Sequence, residues 1–130
     1  MKSKTPNPKK PYDIRERTLQ FAVRILEIAG ALPDTTEGRT VKGQWVRAGT
    51  SIGANVEEGD GAVSRPDKRK SFAVARKVTR ETRYWLTLID RVWGKTLDVR
   101  ADVPEATEIT TSSARSSTSS SRLPWILTTK

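Results

Sequence analysis

An all-α, up-down antiparallel helical bundle is the fold class that this 130-residue sequence predicts. Three observations carry the expectation. Apolar residues recur at spacings of three and four in three successive stretches between residues 12 and 93, the period of one helix face. Short connections built around Pro33 and around Gly59-Asp60-Gly61 separate those stretches. The length is one domain's worth of chain, enough for one core, while the 35% hydrophobic content places part of the chain outside it.

Residues 1–11 hold Pro6, Pro8 and Pro11 among Lys2, Lys4, Lys9 and Lys10. Proline removes backbone donors and like charges repel, so a flexible basic arm is expected. The first helix is expected over about residues 12–31. Ile14, Thr18, Phe21, Ile25, Ile28 and Leu32 form one apolar row, and Leu19, Ala22, Leu26 and Ala29 a second beside it. Two rows suit a helix that touches two neighbours. Pro33 ends the run, because proline disfavours helical geometry in the residue before it.

The second helix is expected over roughly residues 40–58, with Val41, Trp45, Ala48, Ile52 and Asn55 along one side. Gly49 and Gly53 lie four apart beside that stripe. Each glycine costs up to ~1 kcal/mol against alanine in a helix interior, so the pair points to another backbone close by. Ser64 then offers an N-cap, with Pro66 in the first turn and Asp67 three residues after the cap. The third helix should run to about Trp93 and stop before Gly94, burying Phe72, Ala75, Val78, Thr79, Thr82, Trp85, Leu86, Ile89 and Trp93. Beyond Gly94 the pattern fails. Pro104 to Ile109 could begin a fourth helix, but residues 110–122 hold seven Ser and three Thr, too polar to offset chain entropy. The expected organisation is thus a basic arm (1–11), a bundle of three clear helices (12–93), and a degenerate or missing fourth helix with a Ser/Thr-rich tail (94–130).

Charge and composition narrow the chemistry. The formal charge is +9, from 24 Lys+Arg against 15 Asp+Glu, a surplus that attracts polyanions or only keeps a protein soluble. No cysteine is present, so disulfides, thiol nucleophiles and thiolate metal sites are excluded. No histidine is present either, which removes the commonest general base and metal ligand. No stretch reaches the ~18 apolar residues of a membrane span, and no apolar segment follows the basic start. A cytoplasmic, non-enzymatic protein without cofactor or metal is expected.

The segment Arg47-Ala48-Gly49-Thr50-Ser51-Ile52-Gly53-Ala54-Asn55-Val56-Glu57-Glu58-Gly59 resembles the signature of the four-helix bundle proteins encoded in intervening sequences of bacterial 23S ribosomal RNA genes. Residues 17–26 and Glu81-Thr82-Arg83-Tyr84-Trp85-Leu86 agree with it, and the likeness covers residues 12–93. It implies a bacterial four-helix up-down bundle that is a homo-oligomer with no established enzymatic activity. The chain is also similar to accessory proteins of diversity-generating retroelements, basic pentameric barrels that bind nucleic acid and a reverse transcriptase. By that analogy the oligomer is a pentamer and the partner RNA or DNA. Family members carry a full apolar fourth helix where this chain has residues 110–122, a departure that a shifted reading frame or a decayed gene end would produce.

Two constellations remain. Gly49, Gly53, Asn55, Glu81 and Trp85 are expected to form the structural seam between helices, with Asn55 fixing register. Glu57, Glu58 and Glu81 could converge, but salt bridges to Arg47 or Arg83 are the expected use, since bundle metal sites pair carboxylates with histidine. On the third helix, Arg69, Arg76, Arg80, Arg83 and Arg91 fall in one sector at ~100° per residue, nearly opposite the apolar side, with Lys77 and Tyr84 at its edge. Only Asp90 is close enough to neutralise it; a solvated face normally mixes signs as pairs, and this one does not. Either the sector meets phosphate, or acidic groups of another helix or subunit cover it. The two functional expectations are a self-associating bundle that binds nucleic acid non-specifically, and a structural oligomer that meets only protein.

Overall fold

The computed structural model describes residues 13–119, with side chains through Thr111. The expected arm at 1–11 and the end of the expected tail, residues 120–130, lie outside the described residues. Four helices form: α1 (Ile14–Ala29), α2 (Thr36–Asp60), α3 (Arg65–Trp93) and α4 (Asp102–Ser119). Their starts follow from capping. The Asp13 carboxylate accepts from the N–H groups of Arg15 and Glu16, and the Ser64 hydroxyl accepts from the Asp67 N–H at 3.2 Å. Helix α2 begins four residues before the expected position. Thr35 caps it by accepting from the Gly38 N–H at 3.0 Å, and Gly38 lies against the Pro33 carbonyl, where no side chain fits. The first turn of α2 holds no apolar residue, so periodicity could not reveal it.

Each helix packs on the next, α1 on α2, α2 on α3 and α3 on α4, as in an up-down bundle. Phe21, Ile25 and Leu32 meet Trp45, Ile52, Leu86 and Ile89 in one core, closed at one end by Leu97 and Val99. Fully burying a side chain of this size stabilises by roughly 1.5–3 kcal/mol. Three buried threonines satisfy their hydroxyls inside their own helices. Thr18 donates to the Ile14 carbonyl at 2.9 Å, Thr79 to Ala75 at 2.6 Å and Thr82 to Val78 at 2.7 Å.

The glycines explain how closely α1, α2 and α3 approach. A methyl group at Gly49 would strike the Ile25 Cδ1, and one at Gly53 would touch Thr18. Gly59, expected in a turn, is instead helical and faces the Phe72 ring, 2.8 Å from where its Cβ would lie.

The fourth helix corrects the sequence reading. It is neither missing nor broken at residue 110, and its backbone stays helical to Ser119. Ala106 and Ile109 are fully buried and Val103 packs against the core, so α4 fills the groove that three helices would leave. Thr110 and Thr111 continue the helix, donating their hydroxyls to the carbonyls of Ala106 and Thr107 at 3.0 and 3.2 Å. Composition was a poor guide because these polar groups bond to their own helix.

The second row of α1 also departs from expectation. Ala29 is buried, but Leu19 and Leu26 are each 57% exposed. Helix α4 lies on the other flank of α1, reached by Arg17 and Arg24.

Candidate nucleic-acid interface

Helix α3 is long enough to carry a core face and a charged flank at once. Phe72, Ala75, Thr79, Thr82, Leu86 and Ile89 point inward, while Arg69, Lys77, Arg80 and Arg91 are exposed and Arg76 and Arg83 half-buried. One edge of the arginine sector, Arg76 and Arg83, is half-buried rather than opposite the apolar side. Arg83 reaches α4 there, its Nη1 donating to Thr107 Oγ1 at 3.3 Å. Arg69, Arg76, Arg80, Arg83 and Arg91 join no ion pair among the described residues. From Arg69 to Arg91 the flank is about 33 Å long at 1.5 Å per residue.

Tyr84 borders this flank. Its ring meets Trp85 edge to face, with centroids 5.0 Å apart and planes at 74°. Trp85 is itself held, its indole N–H donating to Glu81 Oε2 at 3.2 Å.

That bond places Glu81 on the surface of α3 rather than in a seam, and neither Arg47 nor Arg83 pairs with it. Arg47 Nη1 donates instead to Gln44 Oε1 at 3.3 Å. The Glu57 and Glu58 carboxylates are exposed. No three acidic side chains gather as a metal site among the described residues. Asn55 is half-buried and donates to the Ser51 carbonyl at 2.8 Å, a bond within its own helix, so it joins no helix to another. Gly49 and Gly53 do face a neighbour, which is α1. The glycine side of α2 is therefore covered and presents no open surface.

Two arginine forks lock the α1–α4 edge. Arg17 donates to both oxygens of Glu105, at 2.6 and 2.7 Å. Arg24 donates to both oxygens of Asp102, at 3.1 and 3.0 Å, and also to the Asp98 carbonyl. The Asp102 hydrogen bond raises the Arg24 pKa above its ordinary value. In the α3–α4 connection the Arg100 guanidinium, helped by the Arg100 N–H, holds the Asp98 carboxyl down at about 2.

The sequence of such a bundle matches the family described as 23S rRNA-intervening sequence protein over residues 10–111, which takes in α1, α2, α3 and the first part of α4. The chain belongs to that family. The family member is also similar to a solved structure from Bacteroides thetaiotaomicron, described as a protein of unknown function from the S23 ribosomal protein family. Identity is 33% and the TM-score 0.72, over 79% of this chain and 96% of that one. Comparison with the curated proteins finds no match. The likeness to the intervening-sequence proteins seen over residues 12–93 thus extends into α4, to residue 111. No helix among the described residues is long and apolar enough to cross a membrane.

Sequence reading missed the α1–α4 forks. Their signal is present: Arg17 and Arg24 lie seven apart on α1, and Asp102 and Glu105 three apart on α4, so each pair shares one helix face.

Proposed function

We propose that this family member binds RNA or DNA without sequence preference, through the arginine flank of α3. One observation supports the reading most. Every Asp and Glu of the sequence lies within residues 13–111, and none pairs with Arg69, Arg76, Arg80, Arg83 or Arg91. The six acids that do pair hold other arginines, Arg15, Arg17, Arg24, Arg39 and Arg100. Guanidinium groups suit phosphate oxygens, which they grip with two parallel bonds. Contacts of this kind read charge and shape rather than bases.

The salt dependence of binding tests it. Neutralising Z phosphates gives a log–log slope of about −0.9Z on duplex. Replacing Arg69, Arg76 and Arg80 together by Gln should flatten that slope by roughly two to three units. Arg83 is left in place because it also bonds to α4. Stability should change little, since Arg69 and Arg80 are exposed and half-buried Arg76 joins no ion pair among the described residues. An unchanged slope removes the flank as the site.

A second reading, self-association, has its own support. Leu19, Val23 and Leu26 form an exposed apolar row on α1, with 57%, 45% and 57% of each residue in solvent. Rows of this kind mark interfaces more often than chance. The groove between the first three helices is filled by α4, which leaves this α1 row as the candidate surface. Leu19→Lys with Leu26→Lys should lower the mass seen by light scattering. A parent chain that is monomeric across a wide concentration range rules self-association out and leaves the nucleic-acid reading to stand alone.

A further inference from the structure

We infer that the nucleic acid taken by the α3 flank is single-stranded, and that Tyr84 is the residue on which a base stacks. The inference rests on the arginine flank being the nucleic-acid site.

Tyr84 is 59% exposed, whereas every other aromatic side chain among the described residues is buried or half-buried. Its hydroxyl has no hydrogen-bonding partner among the described residues, so no internal bond accounts for a phenol ring in water. It sits at the edge of the charge. At ~100° per residue it lies about 20° from Lys77 and Arg91 and about 40° from Arg80 around the helix. Along the axis it is about 6 Å from Arg80 and about 10 Å from Arg91.

The ring is also braced by a neighbour. Trp85 meets it edge to face at 5.0 Å, and the Glu81 carboxylate holds the Trp85 indole at 3.2 Å. An aromatic face fixed in this way loses little freedom when a second ring lies on it.

A charged flank alone would take duplex and single strand alike. An aromatic ring at the edge of that flank distinguishes them. Inside a duplex each base face is covered by its neighbours, whereas a single strand can turn a base out onto the ring while its phosphates stay on the arginines. Cationic grooves with interleaved aromatics hold single strands by this combination, tolerant of sequence because every base has a π-face.

The full chain is titrated at one salt concentration against three fluorescent probes of equal length: oligo-dT, an abasic single strand and a duplex. The parent should bind oligo-dT tighter than the abasic strand. Tyr84→Leu should weaken oligo-dT binding by roughly 5- to 150-fold, the range of one base–aromatic stack, and leave the abasic strand, the duplex and the salt slope unchanged. Tyr84→Phe should bind as the parent does. Tyr84→Gln serves the same purpose if the leucine variant fails to fold. Equal parent affinity for oligo-dT and the abasic strand overturns the inference, as does a Tyr84→Leu variant that loses duplex and single strand alike. If the Arg69/Arg76/Arg80→Gln variant still flattens the slope in that case, the charge reading survives and only the stacking residue is wrong. If the parent binds none of the probes at low salt, both readings fall.

Discussion

Gly43 and Gly49 sit six residues apart in one helix, yet a methyl group would do opposite things at each. Nothing lies within 4 Å of the Cβ position at Gly43, while at Gly49 that position collides with Ile25, itself fully buried. Gly43→Ala should therefore stabilise by up to ~1 kcal/mol through helix propensity alone. Gly49→Ala gains the same propensity but overpacks the α1–α2 contact, which costs about 1–3 kcal/mol, so it should destabilise or at best be neutral. Urea unfolding midpoints of the two variants check this, and a clearly stabilised Gly49→Ala contradicts the close approach. Asp98 carries a prediction in pH. Its carboxyl titrates at about 2 against an ordinary 3.8, held down by Arg100. A lowered folded pKa contributes stability that is complete above about pH 4 and lost as pH falls toward 2. Arg100→Gln should return the Asp98 midpoint toward 3.8 in an NMR titration.

At the scale of the helix, termini with a cap and an apolar period were legible and polar turns were not. Ser64, Pro66 and Asp67 place the start of α3, and Gly94 its end, where the structure has them. The start of α2 was hidden because residues 36–40 offer no apolar residue, leaving only Thr35 and the tight Pro33–Gly38 contact to mark it. Helix α4 was misread for a related reason. Its hold on the bundle comes from Ala106 and Ile109, both fully buried, and half-buried Val103, three residues that a count over a Ser/Thr-rich stretch dilutes. Ile109→Ala should accordingly cost about 2–5 kcal/mol, the range for deleting a buried aliphatic side chain, and loss of that size is readable by chemical or thermal unfolding. A cost below about 0.5 kcal/mol would mean that α4 contributes little to the fold.

At the scale of the molecule, charge proved partly readable. The arginine sector of α3 follows from spacing, but the side it faces does not, because that depends on where α4 docks. The seam residues fared unevenly for the same reason. Gly49 and Gly53 were placed against a neighbour by a local argument about glycine cost. Asn55 and Glu81 have polar groups that found partners on their own helices, and periodicity cannot tell a bond within a helix from one between two. Removing residues 1–11, with their four lysines, should weaken nucleic-acid binding in an anisotropy assay while leaving helix content by circular dichroism as it was. Unchanged affinity would confine the site to the bundle.

The α1–α4 edge has a consequence for how the molecule opens. Helices α1 and α4 meet along much less of their length than the other neighbouring pairs, and what joins them is largely the Arg17–Glu105 and Arg24–Asp102 forks. Parting there uncovers charge more than carbon. The denaturant sensitivity of an opening scales with the surface it exposes, so this motion should be nearly blind to urea. Its electrostatic part is weakened by salt, less than for fully exposed pairs because both forks are partly sheltered. Amides on the facing turns of α1 and α4 should then exchange hydrogen at a rate that urea barely changes and added salt raises. Amides beneath the Trp45–Leu86 core should wait for global unfolding. Two classes of exchange within one small bundle, separated by which cosolute moves them, would identify this edge as its clasp.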